Sequence, residues 1–247
     1  MDRTVILRIA EPLQLFLAPR RQGTDVEVSW DGEASLGHVV ESVGVPLIEV
    51  GALRVDGESV PASTRPRPAV PVVVVPADRP QPMPTSRFVL DVHLGALARR
   101  LRLLGLDAAY RNDADDDELV AQVLAERRLL LTQDRGLLKR KVLRDGARWA
   151  AYVRGSRPDA QLADVLDRFA PPLDPLSRCV ACNAVLADVA KADVVDRIPA
   201  GTRRRYDDFR GCAACGRVYW RGAHARRLDQ ILAVGAPQYR RDDARDA

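Results

Sequence analysis

Two aspartates in this chain each follow a short apolar run. Asp91 ends Arg87–Asp91 (RFVLD), and Asp134 comes two residues after the run Leu129–Thr132 (LLLT). Between them lies an acidic stretch, Asp113–Glu118. In a parallel sheet the carboxyl ends of neighbouring strands open into one crevice, so Asp91 and Asp134 are expected side by side, with the acidic turn in reach. Converging carboxylates repel unless a cation lies between them, and a hard divalent ion, Mg²⁺ or Mn²⁺, suits oxygen donors. A second chemistry is written in thiols. Cys179 and Cys182, then Cys212 and Cys215, form two Cys-x-x-Cys pairs 29 residues apart, each followed by a turn-forming residue, Asn183 or Gly216. That pattern can place four thiolates tetrahedrally around Zn²⁺, a closed structural site with no open position for water. Thiol redox chemistry is the alternative use of such pairs.

The elements that must position these groups are legible around them. After Asp91, residues Leu94, Leu97, Ala98, Leu101 and Leu104 recur at helical spacing, and Gly105 is the stop. A second helix starts in Asp113–Glu118, and Leu129–Thr132 is the next strand. A basic helix over Arg135–Leu143, a strand over Trp149–Val153 and a helix over Asp159–Phe169 complete the alternation, the last bounded by Pro158 and by Pro171-Pro172. Strands alternating with helices predict an α/β domain with a small, mostly parallel sheet covered on both faces.

Residues 1–76 follow another plan. Strands at Thr4–Ile9 and Val26–Trp30, a short helix over Ser35–Val43, a strand Leu53–Val55 before the turn Asp56-Gly57 and a strand Val70–Val75 give the order of a β-grasp, ubiquitin-like module. The last strand runs on into Pro76 rather than into a free Gly-Gly, which argues against carrier chemistry. His38 and His93 read as structural or exposed residues. The stretch 77–86 within PADRPQPMPTS is a stiff, extended linker. The domain plan is therefore 1–76, a linker 77–86, the α/β domain 87–172, a zinc ribbon 173–230 and a polar tail 231–247, consistent with about one domain per 100–200 residues.

Net charge is only +4, but it is uneven: Arg197 to Arg227 holds nine Arg against two Asp, which suits a polyanion. The start MDRTVILRIAEP lacks a secretory h-region, and no apolar run reaches the roughly 18 residues a membrane span needs. The chain reads as cytoplasmic, and a reducing compartment favours metal thiolate over disulfide.

The stretches FVLDVHLGALARRLRLLGLDAAY, DDDELVAQVLAERRLLLTQDRGLLKR, RCVACNAVL and FRGCAACGRVYWRGAHARRL together resemble the Mut7-C family, a PIN-like ribonuclease domain with its own zinc ribbon, and the amino-terminal part resembles the ubiquitin-like module fused in front of it. The resemblance runs from about Val5 to Leu228. It implies a PIN-like fold in which acidic residues hold divalent metal and cut RNA. By position the metal-site acids are Asp91, Asp116 and Asp134, with the run Asp115–Glu118 leaving the second register open by one, and Thr132 is the Thr of the Thr-x-Asp signature. The chain departs from the pattern at a fourth acid: after Trp149–Val153 it offers Gly155-Ser156-Arg157-Pro158-Asp159, with no carboxylate at the strand end.

On this reading Thr132 orients an Asp or a water, and Arg99, Arg102, Arg135 and Lys139 hold flanking phosphates. Tyr219, Trp220 and His224 either stack on unpaired bases or cover the zinc knuckle. Plainer roles exist: Asp115 and Glu118 fit a capping box, and Asp134 can cap the helix behind it. The expected function is a metal-dependent ribonuclease using Zn²⁺ structurally and Mg²⁺ or Mn²⁺ catalytically. Its alternative is an RNA-binding adaptor that recruits a protein partner through its ubiquitin-like domain.

Overall fold

A computed structural model describes residues 3–144 and 148–222. His224, Arg226, Arg227, Leu228 and the tail 231–247 lie outside the described residues. The chain forms two compact units: residues up to Gln81 together with Asp134–Tyr152, and Pro82–Gln133 together with the residues from Val153 onward.

In the first unit β1 (Arg3–Ile9), β2 (Val26–Trp30), α1 (Leu36–Ser42), β3 (Val50–Val55), β4 (Glu58–Val60) and β5 (Val72–Pro76) build one sheet of order β2-β1-β5-β3-β4. β1 and β5 are parallel and the other pairs antiparallel, the ubiquitin-like arrangement. Period-two patterning buries Val5, Leu7 and Ile9 of β1 and Val72 and Val74 of β5 against Leu36, Val39 and Val40 of α1. Ser35 caps that helix by accepting from the His38 N–H at 3.4 Å.

The second unit begins with β6 (Arg87–Leu90), α2 (Gly95–Leu103), β7 (Asp107–Tyr110), α3 (Asp116–Glu126) and β8 (Leu129–Thr132). β6 is the centre, with β7 and β8 parallel to it on either side. Phe88–Leu90 and Leu129–Leu131 are wholly buried, as continuous apolar runs in a doubly covered sheet should be. The stripe Leu94, Leu97, Ala98, Leu101 and Leu104 is core. β7 is an element that periodicity does not announce, because Asp-Ala-Ala-Tyr carries no β-branched side chain; pairing with β6 makes it a strand. Gly105 ends the α2 turn at φ +85°, where a side chain would meet the Asp174 carbonyl oxygen at 1.8 Å, so only Gly fits.

In place of one basic helix the chain forms α4 (Arg135–Leu138) and α5 (Lys141–Arg144), followed by β9 (Ala150–Tyr152), all within the first unit. The second unit resumes with α6 (Pro158–Phe169), tied to α2 by Arg100 and Asp159 at 2.7 Å. It ends in β10 (Ala187–Val189), α7 (Lys191–Val194), α8 (Ala200–Arg205), β11 (Phe209–Gly211) and β12 (Val218–Tyr219), whose strands form an antiparallel sheet of order β10-β11-β12. Among the described residues no helix is long and apolar enough to cross a membrane.

Candidate active site and metal centre

Asp91 stands where β6 ends. Its backbone N–H continues the ladder to the Leu131 carbonyl at 3.1 Å, and its side chain, 6% exposed, accepts from the wholly buried Thr132 hydroxyl, Oγ1 to Oδ2, at 2.7 Å. Asp91 does not cap the following 3-10 turn Val92–Leu94 with its side chain, so a helix-start role does not account for it. Among the described residues the Thr132 hydroxyl is the donor to this carboxylate, and burying a carboxylate's charge is in general costly unless a positive partner is near. The turn itself is pinned from β7: the Tyr110 hydroxyl donates to the Val92 carbonyl at 2.8 Å. Gly95 permits this, since a Cβ there would lie 2.6 Å from the Tyr110 ring.

The other two predicted acids lie in different surroundings. Asp116 is exposed at the first turn of α3, behind a complete capping box: Asp115 accepts from the Glu118 N–H at 2.8 Å and Glu118 from the Asp115 N–H at 3.1 Å. Asp134 is exposed and caps α4, accepting from the Gly136 N–H at 2.5 Å. Among the described residues the group of His, Cys, Asp or Glu side chains placed to hold a metal ion is the four cysteines.

The four basic residues expected to hold phosphates divide. Arg99 is exposed on α2. Arg102 is 4% exposed and donates to the carbonyls of Ala108 at 2.8 Å, Val180 at 3.3 Å and Ala181 at 2.8 Å. Burial, above all, lowers its affinity for its proton. It is a strut between β7 and the first Cys pair. Arg135 and Lys139 face the ubiquitin-like fold: Arg135 donates to the Leu15 and Phe16 carbonyls, both at 2.9 Å, and Lys139 reaches the Glu41 carbonyl at 3.5 Å.

The thiols converge. Cys179, Cys182, Cys212 and Cys215 have Sγ atoms within 4.8 Å of one another, the closest pairs at 3.4 and 3.5 Å. A tetrahedral Zn²⁺ with Zn–S near 2.3 Å requires S···S separations of about 3.8 Å, so the group fits structural zinc. Two matching turns present the sulfurs: Asn183 N–H to the Cys179 carbonyl at 2.9 Å and Gly216 N–H to the Cys212 carbonyl at 2.8 Å, with Asn183 and Gly216 left-handed at φ 70° and 74°. Burial pushes the Cys179 thiol up, but the Tyr219 hydroxyl at 3.1 Å, backbone N–H groups of Cys182 and Ala181 and the Cys182 thiol outweigh it and hold it at about 6. For Cys182 the Ala184 N–H pulls down, but burial and the three neighbouring sulfurs push it up to about 12. Four sulfurs so close resist ionising together, and a divalent cation relieves that repulsion. Tyr219, 5% exposed, thus belongs to the knuckle, and Trp220 packs on Phe209 with ring centroids 6.3 Å apart.

A network that sequence reasoning did not foresee joins this centre to the sheet. Asn183 accepts from the Ala108 N–H at 3.0 Å and donates to Asp107 at 2.7 Å, covering the edge of β7. Burial works to raise the Asp107 carboxyl, but hydrogen bonds from Arg128, at 2.7 Å, and Asn183 hold it below the ordinary range. The signal available for Arg102 was its place four residues after Ala98, on the margin of the buried stripe. Asn183 showed only its turn preference.

The fold is thus a parallel α/β domain with a buried strand-end carboxylate and a Cys₄ group, preceded by a ubiquitin-like sheet. The model of the Mut7-C RNAse domain matches residues 86–232, and that of Mut7-C ubiquitin matches residues 2–82. The chain belongs to the Mut7-C RNAse domain family. No curated protein and no solved structure matches it.

Proposed function

We propose that this chain is a ribonuclease that hydrolyses RNA phosphodiester bonds with a divalent cation, Mg²⁺ or Mn²⁺, held at Asp91. The observation that carries the reading is the buried Asp91–Thr132 pair at the carboxyl ends of β6 and β8 in a domain of an RNase family. Mg²⁺ is commonly held by one or two carboxylates, with water and substrate phosphate completing its shell, so one oriented carboxylate fits an ion that arrives with RNA. When bound, the ion supplies charge neutralisation and an activated water.

Thr132 fixes the Asp91 carboxylate through Oδ2, and Tyr110 holds the backbone just beyond it, so the acceptor is oriented before substrate arrives. Asp116 and Asp134 take the further acid positions that the family pattern gives them, able to hold the ion or accept a proton from water. Arg99 is the predicted phosphate contact that remains on this reading, with the exposed Arg204 and Arg205 at the end of α8 adding non-specific RNA affinity. The Cys₄ zinc is structural.

The sequence departure at the fourth acid, where Gly155-Ser156-Arg157-Pro158-Asp159 offers no carboxylate at the strand end, favours a second reading, an RNA-binding adaptor without catalysis. Incubating the zinc-loaded chain with labelled, partly structured RNA, with and without Mn²⁺, separates the two. Metal-dependent cleavage supports the nuclease; salt-sensitive binding of RNA that stays intact supports the adaptor.

A further inference from the structure

The RNAse-domain match runs through residues 86–232, yet Asp134–Tyr152 from within it packs with the ubiquitin-like sheet. The contacts are polar, specific and spread along the segment. Arg135, next to Asp134, uses both terminal nitrogens of its fork: Nη1 to the Phe16 carbonyl and Nη2 to the Leu15 carbonyl, each at 2.9 Å, with the guanidinium 5.3 Å from the Phe16 ring centroid. These carbonyls end the 3-10 turn Glu11–Phe16, where backbone acceptors lack partners within the turn, and a planar fork matches two adjacent oxygens.

Further along, Arg144 pairs with Glu41, and Arg148 donates to the Ile48 carbonyl at 3.0 Å and the Val50 carbonyl at 2.6 Å. At the far end the Tyr152 N–H donates to Glu49, 3% exposed, at 2.9 Å, and the Tyr152 ring meets Phe16 edge-on at 5.0 Å. Phe16 is 1% exposed and belongs to the core of the ubiquitin-like fold. The segment is therefore built onto that fold by cation-to-carbonyl bonds at one end and by a buried carboxylate and an aromatic pair at the other.

We infer that the ubiquitin-like domain acts within its own chain as a clamp that fixes the segment carrying Asp134, and that Arg135 is a positioning residue rather than a phosphate contact. The inference rests on the reading of Asp134 as a site acid. Asp134 caps α4 by accepting from the Gly136 N–H, and Arg135 anchors the first turn of that helix.

The test uses the full zinc-loaded chain with Arg135→Gln and Arg135→Lys. Lys keeps the charge but cannot reproduce the two-pronged bond. Two properties are read: hydrogen exchange of amides 135–144, with β6 amides as internal control, and cleavage resolved into half-saturating Mn²⁺, KM for RNA and salt slope. The clamp predicts that both variants lose about tenfold in protection over 135–144 but not in β6. It also predicts that half-saturating Mn²⁺ rises about three- to tenfold while KM and salt slope stay unchanged.

Unchanged exchange in Arg135→Gln overturns the clamp. A raised KM with a salt slope reduced by about one, restored by Arg135→Lys, overturns it in favour of a phosphate contact. A wild-type chain that cuts no RNA removes the nuclease reading and Arg135's positioning role with it, while exchange still decides whether the segment is clamped.

Discussion

Replacing Asn183 with Gly removes two hydrogen bonds while leaving the backbone free to keep φ near 70°. One bond satisfies the Ala108 N–H on the edge of β7; the other donates to the ionised Asp107. A neutral bond contributes about 1 kcal/mol and one to a charged group about 1.5–3 kcal/mol, and partial exposure trims the sum to about 2–3 kcal/mol. Asn183→Ala loses the same bonds and adds about 1–2 kcal/mol for a left-handed non-Gly residue. The Ala108 amide is itself the donor, so its hydrogen exchange reads the loss directly. Relative to wild type, exchange in the zinc-loaded chain should quicken about 30- to 150-fold for Asn183→Gly and by roughly a further tenfold for Asn183→Ala, since each 1.4 kcal/mol is a factor of ten. An Ala108 rate in Asn183→Gly within about twofold of wild type would refute the claim that the Cys₄ turn braces the sheet beside Asp91.

Two further outcomes follow from the site. Thr132→Val keeps the buried shape but removes the hydroxyl on Asp91; chemical denaturation should show a loss of about 1.5–3 kcal/mol that Thr132→Ser largely restores, and equal stability would mean the bond contributes nothing. Tyr219→Phe removes the donor on Cys179 and should weaken zinc binding about 10- to 100-fold in a competitive chelator titration. The Cys179 thiol is depressed from 9.0 to about 6, so its contribution to the stability of the metal-free ribbon is complete above about 9 and is lost as pH falls through about 6. In Tyr219→Phe that window should narrow from its acid side, and an unchanged pH profile would contradict the assignment.

What could be read from sequence was whatever a local pattern encodes. The apolar runs of β6 and β8, the helical stripe from Leu94 to Leu104, the strand order of the amino-terminal module and the paired Cys-x-x-Cys turns each carry their own period or spacing. β7 escaped because its strand character comes from its neighbour. Sequence suggests phosphate contacts for Arg102 and Arg135 and a turn for Asn183, and their bracing contacts stay hidden because each acts on backbone atoms brought near only by folding: Arg102 reaches carbonyls 78 and 79 residues away, and Arg135 carbonyls 119 and 120 away. A surplus of Arg looks like a polyanion surface in sequence; here part of it is spent on backbone acceptors. Asp91 and Asp134 look alike in sequence, each after an apolar run, yet one is buried on a hydroxyl and the other is an exposed helix cap.

The most direct test of the central claim compares RNA cleavage by the wild-type chain and by Asp91→Asn at saturating Mn²⁺, with zinc content and thermal unfolding measured on both. Asn keeps the size and can still accept from Thr132 but gives up the charge that would hold the proposed ion. The proposed mechanism predicts a rate at least about 100-fold lower in a variant that is folded and zinc-loaded, on the scale of losing one group that stabilises charge in a transition state. Cleavage by Asp91→Asn within a few-fold of wild type would contradict it.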